Sequence, residues 1–215
     1  QLIQFDRDVK VQQGTAQIAS GQPSVAVNLN VDPAGTSPDP VVKTKSMLVF
    51  FTKPSTTTAG VEQQYAVDGV ITDNNTLTFT RGTNSANTVG IVWYVVEFTN
   101  QVIAQNGRTA AWTATPLNQA INTVDLDRTV AVISSSGGSA TDNADHEEIT
   151  ATSQITGTQT MQLTRTIADA PAGNTYTSYS IAEFPLIDIT SPIAGDVWKV
   201  GETHNITWTY SKAMT

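Results

Sequence analysis

The chain has no cysteine, which removes a disulfide framework, a thiol nucleophile and thiolate metal sites together. It leaves the compartment open. Charge is scarce as well: 14% of residues are charged, with 11 Lys and Arg against 19 Asp and Glu, so the net charge is −8. A surface of that kind offers no basic patch, which argues against nucleic acid and anionic membranes as partners. No apolar run approaches the roughly 20 residues that span a bilayer, so no membrane insertion is expected of this segment. Helical periodicity is missing too. No window keeps apolar residues at i, i+3, i+4 and i+7 without a Gly, Pro or Thr-rich break. No G-x-S-x-G elbow occurs, and the only two histidines, His146 and His204, lie in different predicted domains, which argues against a two-histidine zinc site.

What the chain does have is recurrence. Leu2, Ile3, Gln4 and Phe5 match Val95, Val96, Glu97 and Phe98, and these match Ile181, Ala182, Glu183 and Phe184. Gly14 and Gly107 each stand nine residues after the Phe of their copy, an offset of 93. Tyr65, Val67, Gly69, Ile71, Leu77, Phe79 and Arg81 correspond to Ile149, Ala151, Ser153, Ile155, Met161, Leu163 and Arg165 at a constant offset of 84. The difference of nine is assigned to a Pro- and Gly-rich surface insertion within Pro33 to Ser46. Gaps confined to turn-like stretches are what a structural duplication leaves.

Val25, Val27 and Leu29 alternate at period two, as do Leu77 and Phe79, the mark of half-buried strands. Met47 to Phe51 is continuously apolar, as expected of a central strand buried on both sides. Gly82 to Gly90 reads as a long hairpin into the strand Val92 to Phe98. In the second copy, strands are expected at 101–105, 109–115, 129–134, 148–155, 160–165 and 175–184, with Ser134 to Ser136 opening a loop at Gly137 and Gly138. The fold class implied is all-β: two tandem Ig-like β-sandwich domains, 1–98 and 99–185, and an incomplete third segment, 186–215.

That third segment carries Ser191, Pro192, Gly195, Trp198, Gly201, Ile206 and Trp208. Their pattern resembles the opening of the Ig-like domain found in Ser/Thr-rich fungal wall proteins and in long bacterial surface proteins, and it covers roughly the last 25 residues. The resemblance implies strands at 196–201 and 205–209. The Val-Val-Glu-Phe unit resembles tandem repeats of very long bacterial surface proteins, which implies a structural module and no particular chemistry.

Candidate sites are few. Asp142, Asp145 and Glu147 gather hard oxygens that calcium favours, yet no Gly stands where an EF-hand loop needs it, and a solvated strand end explains them as well. Asp125 and Asp127 are similar. Glu97 and Glu183 are equivalent and flanked by apolar residues; catalysis by such a pair needs carboxylates about 5 to 10 Å apart, whereas equivalent positions in successive domains are expected a domain apart. The plainer reading has each Glu accepting backbone or Arg hydrogen bonds at a strand end. Arg81 and Arg165 do not supply that partner, because a simple hairpin register sets Arg81 opposite Ile91. Trp93, Tyr94 and Trp112 could stack on sugar, but apolar flanks point to the core.

No cofactor is expected, and no acid, base or nucleophile converges into an active centre. The expectation is a non-enzymatic structural repeat of an extracellular or cell-surface filament, fibre or stalk, with copies of itself or other surface proteins as partners. An adhesive or carbohydrate-binding module of a surface or phage-tail protein is the alternative. Leu2, Ile3 and Phe5 at one end and Trp198, Ile206 and Trp208 at the other are the candidate assembly residues, joining neighbours head to tail by strand exchange; truncation of a longer chain explains the same ends.

Overall fold

Alternating side chains in this sequence do what period two demands, and the chain is all-β. The computed structural model describes residues 9–29, 39–55, 64–99, 101–137, 149–165 and 175–211. Twelve strands form two sets of six. The first set is β1 (Val9–Ile18), β2 (Ser24–Asn28), β3 (Ser46–Pro54), β4 (Val67–Asp73), β5 (Thr76–Arg81) and β6 (Val89–Phe98). The second is β7 (Ile103–Arg108), β8 (Leu117–Ala120), β9 (Thr129–Gly137), β10 (Ala151–Gly157), β11 (Thr160–Arg165) and β12 (Thr175–Glu183). Short 3-10 turns, Lys43–Lys45 and Leu126–Arg128, lead into β3 and β9.

Each set makes two antiparallel three-stranded sheets in the same order: β1-β6-β3 with β2-β5-β4, and β7-β12-β9 with β8-β11-β10. Registers repeat as well. Ile71 pairs with Leu77 before a bulge, and Ile155 pairs with Met161 before a bulge, 84 positions on. Leu29 N–H donates to Asn75 and Val41 N–H to Asn74; Ile121 and Val124 donate in the same way to Gln159 and Thr158. These bonds place the extra residues of the first repeat between Leu29 and Val41. The expected insertion therefore ends too late: Val41 is a core residue, and Ser46 is buried as β3 begins. Residues 30–38 lie outside the described residues.

Sandwich-like packing follows from the burial pattern. Ile91, Trp93 and Val95 of one sheet meet Ile71, Leu77 and Phe79 of the other in the first core, and Ile181 meets Met161 and Leu163 in the second. Gly14 sits opposite Trp93, and Gly107 opposite Tyr179. A Cβ at either glycine would run into the facing ring, so the aromatic lies flat across the neighbouring strand only because the side chain is absent.

Four local expectations are corrected. The segment Gly82 to Gly90 is a crossover and not a hairpin, since β5 pairs with β2 and β4 while β6 belongs to the other sheet; Arg81 accordingly pairs with Val67 and not Ile91. The strand expected at 109–115 falls at Leu117–Ala120, while Thr109 and Trp112 bond to Thr177 and Thr175 at the start of β12. Ser134 to Ser136 lie within β9, because β12 continues far enough to pair Thr175 with Gly137. In the last segment the pair is β13 (Leu186–Ser191) with β14 (Thr207–Ser211). Residues 196–201 form no strand, since Gly195 and Gly201 hold φ of 100° and 93° and turns bond Asp196 to Ile193 and Glu202 to Lys199.

Candidate functional site: the junction between the repeats

Period two sends Val67 and Ile71 of β4 into the first core and sends Asp68 outward, where the second repeat buries it completely. A lone carboxylate in that position would cost several kcal/mol (about that order after relaxation), so its partners matter. Arg108 from β7 clamps it with two bonds, Nε to Oδ1 at 2.8 Å and Nη2 to Oδ2 at 2.9 Å. Ser178 Oγ from β12 donates to Oδ1 at 2.7 Å, and Ser136 Oγ from β9 donates to Oδ2 at 2.5 Å. One strand from the first repeat is thus held by all three strands of a second-repeat sheet. The Arg108 guanidinium also lies 4.1 Å from the centre of the Tyr176 ring, which supports its charge from the other side.

The same faces carry a second set of bonds. Asn106, two residues before Arg108 on β7, donates through Nδ2 to Lys43 O at 2.9 Å and Ser46 O at 2.8 Å, closing the 3-10 turn of the first repeat. Ser180 Oγ donates to Asn106 Oδ1 and accepts from Leu48 N–H at 3.2 Å. Ser134 Oγ accepts from Gly69 N–H at 3.1 Å. Small hydroxyl side chains at alternate positions of β9 and β12 therefore bond directly to the edges of β3 and β4. Backbone meets backbone where Gly82 contacts Gly137, an approach that a Cβ at Gly82 would forbid.

At one end the junction turns apolar. Met47, Phe98, Val102 and Ala182 form a third buried cluster, with Val9, Val96 and Phe184 packed against it. The rings of Phe98 and Phe184 meet edge to face at 5.6 Å between centroids and an interplanar angle of 83°. The neighbouring Glu97 and Glu183 were expected a domain apart, yet the two Phe rings that follow them are in contact. They touch because each repeat starts and ends on adjacent antiparallel strands, Val9 opposite Phe98 and Ile103 opposite Glu183, so both repeats lie side by side from one pole.

Between β3 and β4 on one side and β9, β10 and β12 on the other lies a cleft of about 510 Å³. Among the described residues its lining includes Phe50, Tyr65, Val132, Ser134, Ile149 and Tyr179 and no carboxylate, amine or imidazole. Burial pushes the Tyr179 phenol above its usual value, with a hydrogen bond from Gln119 opposing the shift. Such a surface offers hydroxyl and apolar contacts.

Glu97 and Glu183 sit beside this junction in the structural role described for strand ends. Glu97 Oε1 accepts from Val42 N–H at 2.9 Å, and the buried Glu183 lies 3.3 Å from Arg128 Nη2. Arg128 escaped the sequence reading because nothing local links it to a residue 55 positions on. Arg81 is instead buried at the far edge, donating to the carbonyls of Gln22, Asn87, Ala19 and Ser85, and burial lowers its pKa. Trp93 and Trp112 are buried in the two cores, and Tyr94 is half-buried on the outward face.

Asp125 caps the second 3-10 turn, accepting from Asp127 N–H and Arg128 Nε, both at 3.0 Å. The Asp127 N–H first, and then Arg128, hold its carboxyl below the usual range. Asp142, Asp145 and Glu147 lie outside the described residues, as do His146 and Leu2, Ile3 and Phe5. Among the described residues no three carboxylate or imidazole groups gather as a metal site. Trp198, Ile206 and Trp208 are all exposed, Trp198 stacking on His204 at 4.6 Å. No helix among the described residues is long and apolar enough to cross a membrane. Comparison with family models, curated proteins and solved structures finds no match.

Proposed function

We propose that the chain is a non-enzymatic structural module of an extracellular filament, fibre or cell-surface stalk. The observation that carries this reading is the Asp68 clamp: the most deeply buried charged group of the first repeat is committed to fixing the second repeat in place. Binding and catalytic sites need polar groups facing a substrate. Here they face the neighbouring repeat, and rigid side-by-side packing of units is what a load-bearing or spacing element requires. Immunogold electron microscopy of the native material with an antibody against this chain tests the reading. Gold along filaments or stalks is the expected result; gold confined to the cell interior sinks it.

The adhesive or carbohydrate-binding alternative draws on exposed Trp208 of β14, an aromatic surface on which a sugar ring could stack. Its readout is a glycan array: signal that disappears in Trp208→Ala would favour it.

A further inference from the structure

Two dipeptides in the sequence set glycine directly after an Asx residue, Asp68-Gly69 and Asn106-Gly107. Both lie at the junction, one on each repeat, and each Asx side chain carries several of the bonds across it. An Asx residue followed by glycine is open to attack by the next backbone nitrogen on its own side chain, because glycine has no Cβ to obstruct the approach.

We propose that Asn106 is a site of spontaneous covalent modification, deamidation through a succinimide, and that docking of the two repeats is what shields it. In the reaction the Gly107 backbone nitrogen gives up its proton and attacks Asn106 Cγ. A Cγ–N bond closes a five-membered ring, the Cγ–Nδ2 bond breaks, and Nδ2 leaves with the proton as ammonia. Water then opens the ring at either carbonyl. One opening gives aspartate in the ordinary linkage, and the other gives isoaspartate, in which the main chain runs through Cγ.

The folded chain holds every participant away from this path. Asn106 lies in β7 opposite Ser180, so its backbone is extended and the Gly107 nitrogen points away from Cγ. The leaving group is fixed as well: Nδ2 donates to Lys43 O at 2.9 Å and Ser46 O at 2.8 Å, while Oδ1 accepts from Ser180 Oγ. On the facing surface it is the attacking group that is held, since Gly69 N–H donates to Ser134 Oγ at 3.1 Å. The Asp68 carboxylate beside it is fixed by Arg108, Ser136 and Ser178. The bonds from Nδ2 and from Gly69 run between repeats, so they are lost when the repeats part.

The first repeat supplies a contrast. Its equivalent of Asn106-Gly107 is Gln13-Gly14, where Gln13 is exposed and its longer side chain must close a larger ring, a much slower reaction. Of the two equivalent sites, only the one covered by another repeat carries the reactive amide. Its loss is not neutral. Aspartate at position 106 offers no N–H to the Lys43 and Ser46 carbonyls and sets a charge against them, and isoaspartate adds a main-chain atom that moves Arg108 off Asp68. Separation of the repeats thus leaves a covalent mark that opposes their return, whatever larger assembly the module serves.

Incubation of the whole chain at mildly alkaline pH, followed by peptide mapping with mass spectrometry, tests the site. In urea the peptide carrying Asn106 should gain one mass unit and split into aspartate and isoaspartate forms, while Gln13 stays intact. In the native protein the same change should be slower by at least about a hundredfold, as for a segment that reacts only from its opened state. Ser180→Ala removes the bonds to Asn106 Oδ1 and Leu48 N–H and should raise the native rate about tenfold, with circular dichroism showing the fold intact. Asn106→Asp supplies the product directly and should raise hydrogen exchange in β7, β9 and β12. Equal rates in native protein and in urea overturn the shielding, and an unmodified Asn106 in urea overturns the site. Exchange in Asn106→Asp no faster than in wild type overturns the consequence for docking.

Discussion

The two repeats share strand order and register but bury themselves differently. The first builds its core from many large side chains, among them Trp93, Phe79 and Leu48, and leaves Val11, Phe51 and Val92 on the outward face of its main sheet exposed. The second has a smaller core around Met161, Leu163 and Ile181, and its main sheet is covered on both faces, since the first repeat packs over Ala104, Ser178, Ser180 and Ala182. A repeat with less apolar burial of its own thus relies more on its neighbour. In tandem assemblies stability divides between what each unit holds internally and what the interface contributes, and the second repeat leans toward the interface.

The sharpest way to break that asymmetry is Asp68→Ala. It leaves Arg108 charged, partly buried and without its partner, and the expected loss is about 3 kcal/mol, the low end of the range for breaking one side of a buried pair. The loss should fall on the second repeat. Hydrogen exchange is expected to rise first in β7, β9 and β12, with β2, β4 and β5 protected longer; equal deprotection of both cores would contradict the dependence. The double variant with Arg108→Ala should recover part of the loss, since no buried charge then remains.

A smaller contrast is set by the two glycines. Gly14→Ala forces a methyl into the Trp93 ring, which is held on all sides in the larger core, whereas Gly107→Ala meets the hydroxyl end of Tyr179, which can swing. Overpacking costs typically about 1 to 3 kcal/mol. Gly14→Ala belongs at the upper end and Gly107→Ala at the lower. Urea melts of the two variants check the order, and a larger effect at Gly107 would show that the second core is the tighter one.

The smallest effect concerns the 3-10 turns. Asp125 caps one with its side chain, while Val42, its counterpart, caps the other without one and is held by Glu97. Because the folded state holds the Asp125 carboxyl below its ordinary value, its stabilisation is fully present above about pH 4, the unfolded carboxylate range, and is lost as pH falls through the lower folded value. Melting temperatures of wild type and Asp125→Asn should therefore differ near neutrality and converge toward pH 2. A gap that persists at low pH would assign the cap's effect to something other than its charge.

The duplication was legible because its marks are local. Gly14 and Gly107, the bulged hairpins at Ile71 and Ile155, and the Glu-Phe pairs that end β6 and precede β13 are each written in a few neighbouring residues. The Glu97 and Glu183 roles were legible for the same reason, although Arg128 was not. By contrast, the crossover from β5 to β6 resembles a hairpin in sequence, since both are strands joined by a polar loop. Only the two cores, which place Phe79 and Ile91 in facing sheets, decide between them. Ser134 to Ser136 of β9 read as a loop, and nothing local marks Ser178 and Ser180 of β12, until a partner surface is present to share their hydrogen bonds.

By itself the sequence determined what period two, glycine punctuation and the missing helical stripe can determine: an all-β chain, its repeats, and which residues of most strands face inward. Tertiary structure alone decided that the repeats lie side by side, that Phe98 touches Phe184, and that Asp68 is buried against Arg108. The reason is physical. A side chain's inward or outward direction follows from its neighbours two positions away, but the burial of an outward residue depends on a surface 40 or more residues distant, and no local pattern records which surface that will be.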